Sequence, residues 1–219
     1  MRSRGVKESA MAFEGFGPGF VEFYLELEDN NTREWFKANK PRYTEQVRAP
    51  LEALAETITP KYGTPKIFRP YRDTRFANDK TPIKETASMW VDFGGAGYYV
   101  QFSADGMLLG AGAYQPDKTI LQRFRELVTT PAGEAKIRKL IASVEKKGPH
   151  LNTDWRLATV PRGYKKDHPA ADLLALTSLV VTSHRAPGTW LSTRECLTAV
   201  TGGWDAMKPW ANFVAGLSA

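Results

Sequence analysis

Three consecutive β-favouring segments in the middle of the chain constrain its fold most strongly. They read ETASMWVDF, GYYVQFS and MLLGAGAY, with a glycine-rich gap after the first and Ala-Asp-Gly after the second. Glycine adopts the positive φ that tight loops need, so such gaps join neighbouring antiparallel strands. Helical patterns precede and follow the segments without βαβ alternation. The sequence therefore predicts an α+β single domain, in which an antiparallel meander sheet of about four to five strands is flanked by N-terminal and C-terminal helices.

Helical periodicity accounts for the N-terminal third of the chain. Asn31 followed by Glu34 has the spacing of a capping box at the start of a second helix. Pro50 is expected to kink or divide a later helix, and Pro60 to end it. The apolar stripe of that later helix consists of Tyr43, Val47, Leu51, Leu54 and Ile58.

The C-terminal half predicts more helices and one more strand. Two amphipathic stripes follow Pro116, and Thr130 with Pro131 separates them as a cap and a first-turn residue. The segment TSLVVTSH is a strand candidate that could join the meander. Ser192 with Glu195 predicts a capping box for the helix STRECLTAV, and WDAMKPWANFVAGL predicts a separate closing helix.

Length, charge and cysteine content bound the class of protein. Residues 13–219 are expected to form one globular domain behind a disordered basic leader, residues 1–12, with Met11 as a second candidate start. The single cysteine, Cys196, excludes an internal disulfide and fits a reducing cytoplasm, and no apolar run is long enough to cross a membrane. The net charge of +6 favours acidic ligands, nucleic acid or anionic surfaces as partners.

The segment RPYRDTRFANDK, residues 69–80, concentrates charge beside aromatic side chains. Pro70 disfavours a helix here, and an extended backbone sends alternate side chains to opposite faces. One face would carry Arg69, Tyr71, Asp73 and Arg75, and the other Phe68, Arg72, Thr74 and Phe76.

Residues 61–85 hold seven Lys or Arg side chains against three Asp or Glu. One interpretation is a bracing network, in which Asp73 accepts hydrogen bonds from one or both neighbouring arginines. The other is a site for phosphate or carboxylate, with Asp73 orienting the cations or acting as a base. The candidate ligand-binding residues are Arg69, Arg72, Arg75, Lys80 and Lys84.

A second basic cluster lies in the loop PRGYKKDHP, residues 161–169. Arg162 and Lys165 are further candidates for anion binding, because the loop precedes a predicted short helix. His168 is the best general acid or base among the three histidines, since its ordinary pKa is near neutrality. A helix-capping turn explains most of the same composition.

Other chemistry finds little support in the sequence. The glycine-rich segments GFGPGF and GGAG match neither nucleotide-binding fingerprint, so no cofactor is expected. Asp73, Asp79 and Asp92 lie among so many cations that we expect no metal. The aromatic residues, Trp90, Tyr99 and Trp155 among them, are expected to pack in the core, with stacking on nucleic acid bases as the alternative.

Four segments of the chain resemble a widespread bacterial family known only as a domain of unknown function. The resemblance is carried by FEGFGPGFVEFYLELEDNNTREWFKANKPRY, KIFRPYRDTRFANDKTPIK, YYVQFSADGMLLGAGAY and PRGYKKDHPAADLL, and covers nearly the whole chain from Phe13. The family hallmark, RxxRDxRFxxxKxxY, falls on residues 69–83, with Ile83 in place of the family's tyrosine. No established reaction comes with the family, and a mechanism that used the tyrosine hydroxyl would not apply to this chain.

Three functions are compatible with these residues. The first is an enzyme or binding domain for a small anionic ligand, the second a structural or interaction protein braced by the hallmark, and the third a nucleic-acid-binding module. The sequence favours them in that order.

Overall fold

An antiparallel sheet of six strands lies at the centre of the computed structural model, which describes residues 12–73, 75 and 80–218. The strands run in the order β1-β2-β3-β4-β6-β5, so the predicted meander and its extension by TSLVVTSH are confirmed. The two edge strands have two residues each and bring the total above the four to five predicted. The strands are β1 (Lys66–Ile67), β2 (Ala87–Phe93), β3 (Ala96–Ser103), β4 (Gly106–Ala113), β5 (His150–Leu151) and β6 (Leu179–Arg185).

The N-terminal helices follow the predicted apolar stripes but differ in their ends. Thr32 caps α2 by accepting a hydrogen bond from the Trp35 N–H, so the predicted capping box at Asn31 is wrong. A π-helical turn, Thr44–Arg48, interrupts the predicted helix just before α4 begins at Ala49. Pro50, which was expected to kink or divide the helix, lies in the first turn of α4. Pro60 lies inside α4, which ends at Gly63 with φ 97°. The helices are α1 (Gly19–Asp29), α2 (Arg33–Ala38), α3 (Lys40–Tyr43) and α4 (Ala49–Tyr62).

The last of the C-terminal helices packs directly against the central strands of the sheet. Thr130 caps α6 through the Gly133 N–H, as predicted. The two predicted last helices are one continuous helix, α8, and Ser192 instead ends a short 3₁₀ turn before it. Gly203 lies within α8, where its missing Cβ lets the helix approach Leu109 closely. The helices are α5 (Lys118–Val128), α6 (Pro131–Glu145), α7 (Ala171–Leu174) and α8 (Glu195–Gly216).

Helix α8 is tied to the sheet by two buried tryptophans. The Trp204 indole N–H donates to the Tyr99 carbonyl, and the Trp210 indole N–H donates to the Leu179 carbonyl, each at 3.0 Å. Both side chains are fully buried, so the helix contributes apolar area and also satisfies backbone carbonyls of β3 and β6.

The predicted leader lies outside the described residues, apart from residue 12. Among the helices of the described part of the chain, none is both long and apolar enough to cross a membrane.

Candidate functional site

In the part of the chain that the structure describes, α8 packs on one face of the central strands, and a cavity of about 870 Å³ lies over the other face. Strand residues alternate between the faces. On β2, Met89 and Val91 are buried in the core, whereas Ser88 and Trp90 line the cavity. The meander thus presents one set of side chains to the core and another to a space where a ligand could bind.

The cavity floor is a row of residues paired across four strands. Trp90 pairs with Tyr99, Tyr99 with Gly110, and Gly110 with Thr182. Trp90, Tyr99 and, at the rim, Trp155 line the cavity, so the expectation that they pack in the core is wrong for these three. Both faces of the central strands carry apolar residues, and the local pattern does not say which face the helices cover.

Hydroxyl and amide groups are fixed within this floor. The Tyr99 hydroxyl donates to Gln101 Oε1 at 2.9 Å, and burial raises the pKa of this phenol while a hydrogen bond with Ser88 opposes the rise. Thr182 Oγ1 lies 3.3 Å from His150 Nε2. The sequence around His150 has no ligand-like spacing, and its contact with Thr182 depends instead on the pairing of β5 with β6.

The hallmark segment forms one wall of the cavity. Residues 70–72 run antiparallel to residues 82–84: the Arg72 N–H donates to the Pro82 carbonyl, and the Lys84 N–H to the Pro70 carbonyl. This pairing places Arg72 and Lys84 on the same face, where both line the cavity with Phe68. The opposite face carries Tyr71, whose ring contacts Phe36 with centroids 5.6 Å apart. The predicted alternation is confirmed for these residues.

Three cations lie close together at this wall. The Lys84 ammonium is 5.4 Å from the centre of the Phe68 ring. Burial, with smaller contributions from the positive charges of Arg69 and Arg72, lowers the pKa of Lys84 below its usual 10.5. No carboxylate among the described residues forms an ion pair with Lys84. An anion would therefore stabilise the charged form of this lysine.

Asp73 and Arg75 form a pair outside the cavity. The Arg75 guanidinium donates to both carboxylate oxygens, at 3.0 and 2.7 Å, and these hydrogen bonds lower the pKa of Asp73. The two side chains are 47% and 76% exposed, so the pair contributes little to stability. Lys80 is also exposed and does not line the cavity. Thr74 and residues 76–79 lie outside the described residues.

Ile83, where the resemblance implies a tyrosine, is a core residue here. Its side chain is 0% exposed, and it faces away from the cavity. The backbone of Ile83 is held by Asn31, whose side chain accepts from the Ile83 N–H at 3.1 Å and donates to its carbonyl at 3.0 Å. The Asn31 amide also donates to Glu85, at 2.6 Å. Nothing in the sequence indicates this role beyond the presence of an asparagine in a turn.

Asn31→Ala is expected to loosen the hallmark wall. The change leaves two partly buried backbone groups of Ile83 without their partner, which costs about 1–3 kcal/mol. We expect a lower melting temperature and faster amide hydrogen exchange at Ile83. Asn30→Ala is the matched control, because the exposed Asn30 side chain donates only within the end of α1, to the Glu26 carbonyl. Equal behaviour of the two variants would contradict the assigned role of Asn31.

The second basic cluster does not reach the cavity. Arg162 and Lys165 are exposed, and neither side chain lines the cavity walls. His168 Nδ1 accepts a hydrogen bond from the Ala170 N–H at 3.0 Å, just before α7. The bond lies within the turn before α7, but the N-cap residue of this helix is Ala170, which makes no side-chain capping bond.

The opposite rim of the cavity is aromatic. The rings of Tyr114 and Trp155 meet edge to face, with centroids 4.7 Å apart, and both side chains are partly exposed. Together with Phe68, Trp90 and Tyr99 they surround the cavity with five aromatic rings.

Metal ligands and the cysteine are not assembled at this site. Among the described residues, no group of three or more His, Cys, Asp or Glu side chains is placed to hold a metal ion. Cys196 is buried in α8, and burial raises the pKa of its thiol to about 12.

Comparison with known proteins yields one match. The model of a family described as "Conserved hypothetical protein (DUF2461)" matches residues 19–213. Neither the curated proteins nor the solved structures contain a significant match.

Proposed function

We propose that this chain, which belongs to the DUF2461 family of conserved hypothetical proteins, binds a small organic anion in the cavity on the open face of its sheet. The match establishes the expected membership in an uncharacterised family.

The observation that carries this proposal is the placement of Arg72 and Lys84. Both side chains line one wall of the cavity, and Arg69 adds its positive field. A phosphate or carboxylate at this wall would receive charge-assisted hydrogen bonds and reduce the repulsion among the cations.

The size and lining of the rest of the cavity favour an organic molecule over an inorganic ion. Its volume of about 870 Å³ suits a molecule of many atoms, because ligand sites occupy roughly 300–1,000 Å³. Five aromatic rings line the cavity, and Ser88, Gln101 and Thr182 add a few polar groups. This combination is typical of sites that orient a largely apolar ligand by its polar end.

Lys84→Met is expected to weaken binding of a small aryl acid by about tenfold or more, because it removes one charge-assisted partner. The ligand would be 2-naphthoate, with its neutral amide as a charge control of the same shape. Titration calorimetry and quenching of tryptophan fluorescence measure both affinities. The free energy of unfolding should not fall in this variant. The lowered pKa of Lys84 means that its charged form, present at neutral pH, is less favourable in the folded state than in the unfolded state.

Lys208→Met is the matched control for charge, because Lys208 is an exposed residue of α8, on the far side of the sheet. The acid should bind this variant as it binds the wild type. Affinity should fall as the pH rises through the pKa of Lys84, below 10.5.

Three results would oppose the proposal. The first is equal affinities for the acid and the amide. The second is a large loss of stability in Lys84→Met with unchanged binding of the acid. The third is binding of oligonucleotides at low salt without any binding of the small acid. The second would support a bracing role, and the third a nucleic-acid module.

A further inference from the structure

Gly110 stands at the centre of the cavity floor, in a strand whose packing does not require a glycine there. Its backbone does not adopt a positive φ. A Cβ built at this position would meet Tyr99 Cβ and Val180 Cγ1 at 3.6 Å and Thr182 Cγ2 at 3.9 Å, which are ordinary contacts. Alanine would fit, and glycine in a strand interior is less stable than alanine.

The neighbouring glycines have structural reasons that Gly110 lacks. At Gly97 a Cβ would lie 2.0 Å from the Trp90 ring, so glycine lets this indole lie against the sheet. At Gly112 φ is +124°, and a Cβ would lie 2.0 Å from the Leu179 carbonyl oxygen. Gly106 has φ 108° in the β3–β4 hairpin. Of these four glycines, Gly110 alone borders the cavity without a conformational or packing need for glycine.

The part of the cavity next to Gly110 has defined sides. Tyr99 flanks Gly110 on β3 and Thr182 flanks it on β6, two strands that lie about 9.5 Å apart across β4. A glycine inside a strand often marks a place where a ligand approaches the backbone closely. A flat ring contacts such a bare strip of peptide over its whole face, whereas a puckered body touches it at few atoms.

We infer that the ligand of this cavity carries a flat ring system, and that the ring lies against the backbone of Gly110 between Tyr99 and Thr182. The inference rests on the proposed function, since the anionic group of the same ligand is directed to Arg72 and Lys84. The aromatic rings around the cavity supply further edge and face contacts for a planar group.

The test compares two acids of equal charge and carbon framework. One is 2-naphthoate, which is flat, and the other is decahydro-2-naphthoate, which is puckered. We expect the wild-type protein to bind the flat acid about tenfold more tightly. Gly110→Ala should weaken binding of 2-naphthoate about tenfold, because its methyl group occupies the contact plane, and should leave the melting temperature unchanged or raised.

Gly202→Ala is the matched control, since a Cβ at this α8 position meets nothing within 4 Å. It should leave the affinity for 2-naphthoate unchanged. Equal binding of the two acids by the wild type, or a Gly110→Ala variant that melts earlier with unchanged affinity, would overturn the inference. If the acids bind equally and Lys84→Met still weakens both, only the flat-ring inference fails. If neither acid binds, the proposed function fails with it.

Discussion

Trp204→Ala is expected to lower the free energy of unfolding by about 3–5 kcal/mol, the cost of removing a large buried aromatic side chain. Trp204 is 0% exposed, and its ring lies 5.0 Å from that of Tyr62 and 5.4 Å from that of Tyr98, between centroids. The change also removes the hydrogen bond to the Tyr99 carbonyl. For a chain of this size the melting temperature should fall by roughly 6–20 °C.

Trp155→Ala is the control for this experiment. Trp155 is 38% exposed at the cavity rim, so its loss should cost less than that of Trp204, about 1–2 kcal/mol including its edge-to-face contact with Tyr114. Trp204→Phe should lie between the two, because it retains most of the apolar contact and leaves the Tyr99 carbonyl without the indole. Similar melting temperatures for Trp204→Ala and Trp155→Ala would disprove the role of α8 as the element that holds the sheet.

Gly112→Ala is expected to destabilise the protein by about 2–4 kcal/mol, because both its backbone and its surroundings exclude a side chain. The residue has φ +124°, which alanine rarely adopts, and a Cβ would lie 2.0 Å from the Leu179 carbonyl oxygen. That carbonyl already accepts the Trp210 indole N–H, so it is held in place. Chemical denaturation of the variant measures the loss.

Gly110→Ala provides the comparison within the same strand, two residues away. Its added Cβ makes ordinary contacts, so its unfolding free energy should be equal to or above that of the wild type. Equal stabilities of Gly110→Ala and Gly112→Ala would show that the close contact with Leu179 does not constrain β4.

Much of the fold was predictable because its signals are local. The Ala-Asp-Gly hairpin, the Thr130 cap and the apolar stripe from Tyr43 to Ile58 depend on residues within a few positions of one another, and all three are present in the structure. The errors have non-local causes. Asn31 resembles a cap in sequence but binds Ile83, 52 residues away, and Thr32 takes the capping role.

The candidate site was predictable as a region but not as an arrangement. The basic stretch around the hallmark was selected for its charge, and two of the five candidate cations in it, Arg72 and Lys84, line the cavity. Arg75 pairs with Asp73 in solvent instead. Among the floor residues, Tyr99 was expected in the core, with base stacking as the alternative, and Gly110 carried no functional signal, because a glycine in a strand is common in any buried sheet.

The sequence by itself determined the α+β class, the meander and the stretch of chain that holds the surplus of positive charge, since periodicity, turn chemistry and composition are properties of neighbouring residues. Only the tertiary structure decided which cations meet and what they face. Arg72 and Lys84 share a wall because residues 70–72 pair with residues 82–84, and that wall borders a cavity because the helices pack on the other face of the sheet. Both facts depend on contacts between distant parts of the chain, and such contacts leave no local pattern in the sequence.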